Sequence, residues 1–247
     1  MWSFFHKFGS PPWLYQLSGS ILRWLLPITL IALCTGAIWG LLFTPPDFRQ
    51  GNSYRIIYIH VPAAIVALAG YYVMAIAGAV SLIWKMKMAD LAMRACAPVG
   101  AALTFIALVT GAIWGKPTWG TWWVWDARIT SMLILLFLYL GVIALYEAFD
   151  NKEAAAKACA LLSLVGTVNI PIIYKSVDWW YSLHQPATIK FTEPSTIHAS
   201  MFYPLLLMIS AFYALFVCCL LMNMRAGILE REANTNWVRK LAAGYGN

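Results

Sequence analysis

The sequence predicts an all-α polytopic membrane protein with six transmembrane helices and an outward amphipathic helix rich in tryptophan. Of its 247 residues, 62% are hydrophobic and 11% are charged, and the mean hydropathy is +0.70. A soluble domain carries roughly 25% charged residues, so this composition indicates an integral membrane protein. Six apolar stretches of about spanning length complete the prediction.

The apolar stretches predict each span in order along the chain. A membrane-crossing helix needs about 20 mainly apolar residues. Stretches of nearly this length or longer, free of Asp, Glu, Lys and Arg, place the spans at about 24–43, 62–84, 95–115, 129–149, 158–175 and 198–222. The inner connectors are short, the three outer connectors are larger, and no stretch predicts a soluble domain, so we expect a single membrane domain over residues 1–247.

Basic residues are distributed unequally between the two sides that six crossings define. Eleven Lys and Arg residues fall on the side of the termini and six fall on the other side. The excess predicts cytoplasmic termini. The membrane orientation therefore accounts for the basic residues behind the net charge of +7, and a nucleic-acid partner is not needed to explain them. The first stretch is long enough to remain as a helix instead of being cleaved as a signal peptide.

The connector over residues 114–128, here the Trp-rich connector, is unusually aromatic. It carries five tryptophans and an aspartate, namely Trp114, Trp119, Trp122, Trp123, Trp125 and Asp126. Four of these six follow helical spacing on one face, which predicts a short helix in the membrane plane, capped by Thr118. Indole side chains are broad and flat, so the connector suits a large planar ligand.

Three of the four histidines map to the predicted outer side, and the fourth, His6, lies in the cytoplasmic tail. The outer ones are His60, His184 and His198. Pro62 predicts that the second span starts near Val61, which puts His60 at its outer mouth. Two imidazoles from separate connectors are suitable axial ligands for haem iron. The outward cations for haem propionates are Arg55, Lys116 and Arg128.

Structural roles compete with these assignments. A histidine at a helix mouth commonly serves as a hydrogen-bonding residue, and Asp126 is placed to pair with Arg128 or to cap the next helix. Trp179 and Trp180 fit an interfacial belt. As whole-protein alternatives we keep a membrane b-type cytochrome in electron transfer, an aromatic-lined sugar or lipid permease subunit, and a passive transporter subunit.

Two kinds of chemistry are excluded by motif. The five cysteines lie within or at the ends of apolar stretches and form no C-x-x-C, so a dithiol oxidoreductase of the usual type is excluded. The segment 111–118 departs from the spacing of a phosphate-binding loop. The outer side also lacks a plausible set of nucleophile and base. We therefore expect a binding protein rather than an enzyme.

The Trp-rich connector, read from Trp114 to Arg128, resembles the "WWD" signature of haem-handling membrane proteins. The segment 51–64, which includes His60, is similar to the first outer connector of the same proteins. Length, span number and one histidine in each flanking outer connector most resemble the cytochrome c maturation protein C (haem exporter protein C) family. The resemblance is clearest from about Pro45 to His184.

That resemblance implies a site and a function. It makes His60 and His184 the axial ligands of the iron of haem b (iron protoporphyrin IX), with the porphyrin on the Trp-rich connector. Arg55 and Arg128 are then our candidates for binding its propionates. It implies haem delivery for c-type cytochrome biogenesis at the periplasmic face of the bacterial inner membrane. The implied partners are a periplasmic haem chaperone (protein E), the small single-span protein D, and the ABC subunits A (ATPase) and B (membrane).

Overall fold

The structure is a computed structural model that describes residues 9–185 and 197–244, and the regular structure in these ranges is helical. Helix α1 (Pro11–Ile38) continues into a π-helical turn, Trp39–Phe43, and a 3-10 turn, Asn52–Ile56, leads into α2. The remaining helices are α2 (Ile57–Trp84), α3 (Lys87–Trp119), α4 (Ala127–Ala148), α5 (Lys152–Gly166), α6 (Asn169–Trp179), α7 (Ala199–Arg231) and α8 (Asn236–Gly244).

Six of the helical segments are long and apolar enough to cross a membrane, which confirms the predicted all-α polytopic class. Most of them are longer than the predicted spans, because the helices continue into polar residues at their ends. The first begins at Pro11 instead of residue 24, and the last ends at Arg231. The fifth consists of α5 and α6, which are separated by a turn at Thr167 and Val168.

The second and third spans form the centre of the bundle. Helix α2 packs against α3, α5 and α7, while α3 also contacts α4 and α7. Helix α1 lies at the side, packed mainly on α7, and exposes large apolar side chains such as Trp24 and Ile28. Such a face suits contact with lipid.

The start of α2 differs from the prediction. The helix begins at Ile57 rather than near Val61, and His60 lies in its first turn. The 3-10 turn Asn52–Ile56 runs directly into α2 and supplies a preformed first turn. Pro62 removes one backbone hydrogen bond, because it has no N–H, and the helix that begins at Ile57 continues through it.

The predicted in-plane helix of the Trp-rich connector is wrong. Helix α3 continues through Pro117 to Trp119, and residues 120–126 are not helical. Gly120 adopts φ 79°, and this left-handed conformation ends the helix. The Gly120 N–H donates to the Lys116 carbonyl at 3.1 Å. Thr118 is therefore not an N-cap; its hydroxyl donates to the Trp114 carbonyl at 2.7 Å within the last turn.

Three connecting segments meet at one end of the bundle, which we call the histidine end. They are residues 44–56, the Trp-rich connector and residues 180–185. Gln50 reaches Trp114, and Arg128 reaches His184, so side-chain contacts join all three segments. The opposite end carries the start of α1 and the end of α7.

Candidate functional site

A tight turn before α2 sets the position of Gln50 at the histidine end. Asp47 and Gly51 exchange backbone hydrogen bonds of 3.0 Å, and the Asp47 carboxylate accepts from the backbone N–H groups of Arg49 and Gln50. Gly51 adopts φ 57°, a conformation that glycine reaches without strain. The Gln50 side-chain oxygen then accepts the indole N–H of Trp114 at 2.7 Å.

The His60 imidazole is held against α3 through its Nδ1 atom. This nitrogen lies 2.9 Å from the Ala107 carbonyl oxygen and 3.1 Å from the Thr110 hydroxyl. Because the Thr110 hydroxyl donates to the Ile106 carbonyl at 2.6 Å, Nδ1–H donates to Ala107. That tautomer leaves the Nε2 lone pair of His60 available to a metal.

The lack of a side chain at Gly111 makes room for this imidazole. A Cβ atom at that position would lie 3.0 Å from His60 Cε1 and 3.5 Å from Nδ1. A contact of 3.0 Å is closer than carbon atoms approach without repulsion. Gly111 is thus a positioning residue for His60.

His184 is tied to the start of α4 through Ser182 and Asp126. The Asp126 carboxylate caps α4 by accepting the Ile129 N–H at 2.8 Å, and it also accepts the Ser182 hydroxyl. The Ser182 oxygen in turn accepts the backbone N–H of His184 at 3.1 Å. The proposed capping role of Asp126 is therefore confirmed, and the same carboxylate fastens the segment that carries His184.

The Nδ1 atom of His184 has two mutually exclusive partners. It lies 2.9 Å from the Gln185 carbonyl oxygen, which needs a protonated Nδ1, and 3.2 Å from Arg128 Nη1, which needs an unprotonated one. Burial lowers the pKa of the His184 imidazole from its ordinary value of 6.5, against the opposing effect of the Gln185 carbonyl. The neutral imidazole, the form that binds metals, is therefore favoured at neutral pH.

The two histidines face each other within an aromatic surround. Their ring centres are 6.3 Å apart, and the ring planes are inclined by 34°. The Trp114 ring lies 5.7 Å from His60, edge to face, and the Trp119 ring lies 6.1 Å from His184. The fold thus brings together His60 and His184, which are 124 positions apart in the sequence.

The other tryptophans of the connector lie farther along the nonhelical segment. Trp123 and Trp125 pack edge to face with ring centres 5.4 Å apart. Trp122 and Trp125 are 58% and 75% exposed, which leaves large indole surfaces open at the histidine end. The indole N–H of Trp123 is buried and has no acceptor within residues 9–185 and 197–244.

The predicted propionate-binding cations make internal contacts. Arg55 donates to the Thr44 carbonyl at 2.6 Å, while its Nε has no partner in the described ranges. Arg128 donates to the Ser176 hydroxyl at 3.2 Å and to the Tyr174 carbonyl at 3.1 Å, besides its contact with His184. Lys116 is exposed and donates to the Gly120 carbonyl at 3.1 Å.

His198, Trp179 and Trp180 make contacts of their own at other positions of the described ranges. His198 caps α7, with its Nδ1 accepting from Ser200, which confirms a structural role. His6 lies outside the described residues. Trp179 and Trp180 pack against each other and are about half exposed.

Sequence reasoning missed the residues that position the two histidines. Gln50, Gly111, Ser182 and the Ala107 carbonyl all act on partners that are 47 to 64 sequence positions away. No local pattern marks such partners. Ser182 carried a weak signal, because it lies two residues before His184 and is able to accept that residue's backbone N–H.

Fold and site together define a multi-pass α-helical membrane protein with two facing imidazoles among tryptophans at one end. The profile of the family described as "Heme exporter protein C" matches residues 4–239. The chain is 52% identical over 241 residues to Heme exporter protein C of Escherichia coli strain K12, covering 98% of this chain and 97% of that protein. It is 48% identical to the Haemophilus influenzae protein of the same name over 242 residues, with 98% of each chain covered. This chain belongs to the Heme exporter protein C family.

A third relative of the same name is also similar to this chain. Heme exporter protein C of Bradyrhizobium diazoefficiens is 46% identical over 227 residues, which cover 92% of this chain and 86% of that protein. The family profile spans residues 4–239, so the matched region includes the Trp-rich connector and both histidines of the cluster.

Proposed function

We propose that this protein holds haem b between the imidazoles of His60 and His184 and presents it for c-type cytochrome biogenesis. The facing arrangement of the two rings carries this proposal, and the names of the relatives, each a heme exporter protein C, support it. Haem is the cargo of the protein. The whole chain, residues 1–247, acts as one haem-handling domain.

The spacing of the two rings suits one iron atom with both as ligands. Two metal–imidazole bonds of about 2.0–2.1 Å, with about 1.2 Å from each nitrogen to its ring centre, separate two opposed axial rings by about 6.4–6.6 Å. The observed separation of the ring centres is 6.3 Å. The Nδ1–H of His60 donates to a backbone carbonyl. Metal-binding imidazoles commonly donate one ring N–H to such a carbonyl, which orients the other ring nitrogen, here Nε2, toward the metal.

The surrounding aromatic side chains suit the porphyrin. Trp114 and Trp119 flank the two histidines, and Trp122, Trp123 and Trp125 continue the indole surface. Aromatic rings favour offset or edge-to-face contact with another π-system. Because residues 120–126 are not helical, these indoles are not confined to one helical face.

Arg128 and Arg55 are the residues that we assign to the haem propionates. When His184 ligates iron through Nε2, its Nδ1–H donates to Gln185, and Arg128 Nη1 loses its acceptor. That guanidinium edge is then available to a carboxylate, which it binds well because the two groups match in geometry. The unpartnered Nε of Arg55 is a further donor.

The role is binding and presentation without a nucleophile or an ATPase of its own. Fixing the ring in one orientation would raise the rate of a later reaction at its edge by proximity alone. We assign the histidine end to the periplasmic side of the bacterial inner membrane and the termini to the cytoplasm, from the distribution of basic residues. The receiving partner is a periplasmic haem chaperone (protein E), within an assembly with protein D and the ABC subunits A and B.

A visible absorption spectrum of the purified protein tests the proposal. We expect a haem Soret band that is retained in His198→Ala, because His198 only caps α7. His60→Ala combined with His184→Ala should lose it, with haem affinity reduced by more than about tenfold. His198→Ala is the matched control, since it removes a third imidazole predicted on the same side.

A double variant that is folded and still binds haem with the affinity and spectrum of the unchanged protein would refute this ligand assignment. Circular dichroism and size-exclusion chromatography establish folding. Loss of haem in both the double variant and His198→Ala would also count against it, because the effect would then not depend on the facing pair.

A further inference from the structure

A pocket at the opposite end of the bundle from His60 lies between α1, α7 and α8. It has a volume of about 350 Å³ and is lined by Tyr15, Gly19, Arg23, Arg225, Trp237 and Leu241, among others. Two arginines and two aromatic rings therefore share one concave surface. The haem site proposed above uses none of these residues.

Arg225 is fixed in this pocket through the face and the Nη1 atom of its guanidinium. Its Cζ atom lies 3.8 Å from the centre of the Tyr15 ring, and Nη1 donates to the Tyr15 carbonyl and, at 3.4 Å, to the Ser18 hydroxyl. Gly19 permits this approach, since a Cβ atom there would lie 2.6 Å from Nη1. A guanidinium held in this way is preorganised to present its remaining donors to an anion.

Arg23 supplies a second positive charge to the same pocket. It lies one helical turn after Gly19, so both residues are on one face of α1. Within residues 9–185 and 197–244, neither Arg23 nor Arg225 forms an ion pair with a carboxylate, whereas Arg94 and Arg231 each do. The nearby Glu232 carboxylate contacts the Trp237 indole N–H instead. The pocket therefore has an excess of positive charge.

The pocket lies at the depth of lipid headgroups. Gly19 precedes Phe43, at the histidine end of the first span, by 24 residues. At a rise of about 1.5 Å per residue this separation is about 36 Å. A bilayer measures about 40–45 Å including its headgroup layers. Trp24, next to Arg23, is 71% exposed, as expected for an indole at the membrane surface.

Helix α8 adds an apolar wall to the two arginines. Trp237 and Leu241 are four residues apart and therefore share the face of α8 that lines the pocket. The Trp237 ring packs against the Tyr15 ring with centres 5.8 Å apart. Beyond the pocket, the exposed side chains of Trp24 and Ile28 continue along α1 toward the bilayer interior. A ligand with an anionic head and an apolar tail matches this surface.

We propose that this pocket binds the headgroup phosphate of an anionic phospholipid, with Arg23 and Arg225 donating to the phosphate and α8 covering it. The phosphodiester oxygens accept hydrogen bonds from both guanidinium groups. The acyl chains lie along the exposed face of α1. Basic pockets between membrane helices are suited to such headgroups. The proposal concerns a site separate from the haem site and stands independently of it.

Native mass spectrometry of the full-length protein, titrated with phosphatidylglycerol in detergent, tests the proposal. We expect one retained phosphatidylglycerol, and weaker retention of phosphatidylcholine, which has no net charge. Arg23→Gln should weaken phosphatidylglycerol binding on the order of fivefold, as expected for one basic residue at a membrane surface. Arg239→Gln is the matched control, because this exposed arginine of α8 does not line the pocket. It should bind the lipid as the unchanged protein does.

The same titration distinguishes other ligands. Equal binding by Arg23→Gln and the unchanged protein, or an equal loss in Arg239→Gln, would overturn the proposal. Displacement of the lipid by inorganic phosphate at the same concentration would show a soluble-anion site and would also overturn it. Since Arg23 is exposed on the surface of α1, its replacement should leave folding intact, which the melting temperature checks.

Discussion

The His60 imidazole shows how a few atoms prepare a side chain for metal binding. Its Nδ1–H is directed to the Ala107 carbonyl, so the other ring nitrogen keeps its lone pair. This contact joins α2 to α3, and Gly111 leaves room for it. The tautomer of His60 is therefore set by the packing of two helices.

Gly111→Ala is expected to displace His60. The added methyl group would lie 3.0 Å from Cε1, and the hydrogen bond to Ala107 restricts how far the ring can move away. If His60 ligates haem iron as proposed, affinity should fall by about tenfold, as when an orienting partner of a metal ligand is disturbed. Haem titration followed by the Soret band measures it. Gly141→Ala, in α4, is the control, and unchanged affinity in Gly111→Ala would contradict the expectation.

Asp126 performs two structural tasks with one carboxylate. One oxygen caps α4 at Ile129, and the other accepts the Ser182 hydroxyl. Through Ser182 it restrains the backbone of His184. The aspartate that ends the tryptophan run thus contributes to the site by holding another segment, without any direct contact with His184.

The end of α3 shows how a single backbone conformation shapes an entire connector. Helical spacing of Trp119, Trp122, Trp123 and Asp126 suggested a continuous helix. Gly120, at φ 79°, terminates α3 after Trp119, and the following residues turn away toward α4. The tryptophans that follow therefore do not share a helical face with Trp119.

Replacement of Gly120 should separate this backbone effect from side-chain chemistry. Gly120→Ala places a Cβ in a left-handed conformation and should destabilise the turn by about 1–2 kcal/mol. Gly120→Asn should be milder, because asparagine tolerates this region better. Unfolding in detergent monitored by tryptophan fluorescence measures both. Equal stability of the alanine and asparagine variants would contradict the conformational explanation, since no neighbour lies within 4 Å of that position.

The bundle as a whole is joined by close packing at its centre. The Tyr139 hydroxyl, on α4, donates to the Ala67 carbonyl of α2 at 2.7 Å and is fully buried. Its ring passes directly over Gly100 of α3, so one side chain connects three helices. Ion pairs contribute less. Arg94 contacts Glu147 and Glu230 at 3.5 Å on an exposed surface, where such pairs are worth about 0–1 kcal/mol.

Gly100→Ala is expected to destabilise the bundle by about 1–3 kcal/mol through overpacking. A Cβ atom at this position would lie 2.1 Å from the Tyr139 ring, which cannot move without breaking its hydrogen bond to α2. Gly141→Ala is the matched control, because its nearest neighbour is the flexible end of Leu162 at 3.3 Å. The free energy of unfolding in mixed micelles measures both. An equal loss in the two variants would show that close packing at Gly100 is not the cause.

Much of this architecture could be predicted from local sequence. Hydropathy identified the six spans, because transfer into lipid depends on the sum of apolar surface over about 20 consecutive residues. Helix ends were harder to predict. Pro62 and the tryptophan spacing both suggested the wrong boundaries, since helix starts and stops depend on which backbone groups find partners.

The sequence by itself determined that the chain crosses the membrane and that His60, His184 and the tryptophan run from Trp114 to Trp125 lie at or near the ends of the spans. The tertiary structure alone decided that His60 and His184 face each other at 6.3 Å, and which atoms hold them there. It also decided that α3 ends before Gly120, so that Trp122, Trp123 and Trp125 are not helical. The reason is physical: hydropathy adds up along neighbouring residues, whereas the hydrogen bonds to Ala107, Trp114 and Asp126 join atoms 47 to 64 positions apart. Only the packed chain brings such partners within bonding distance.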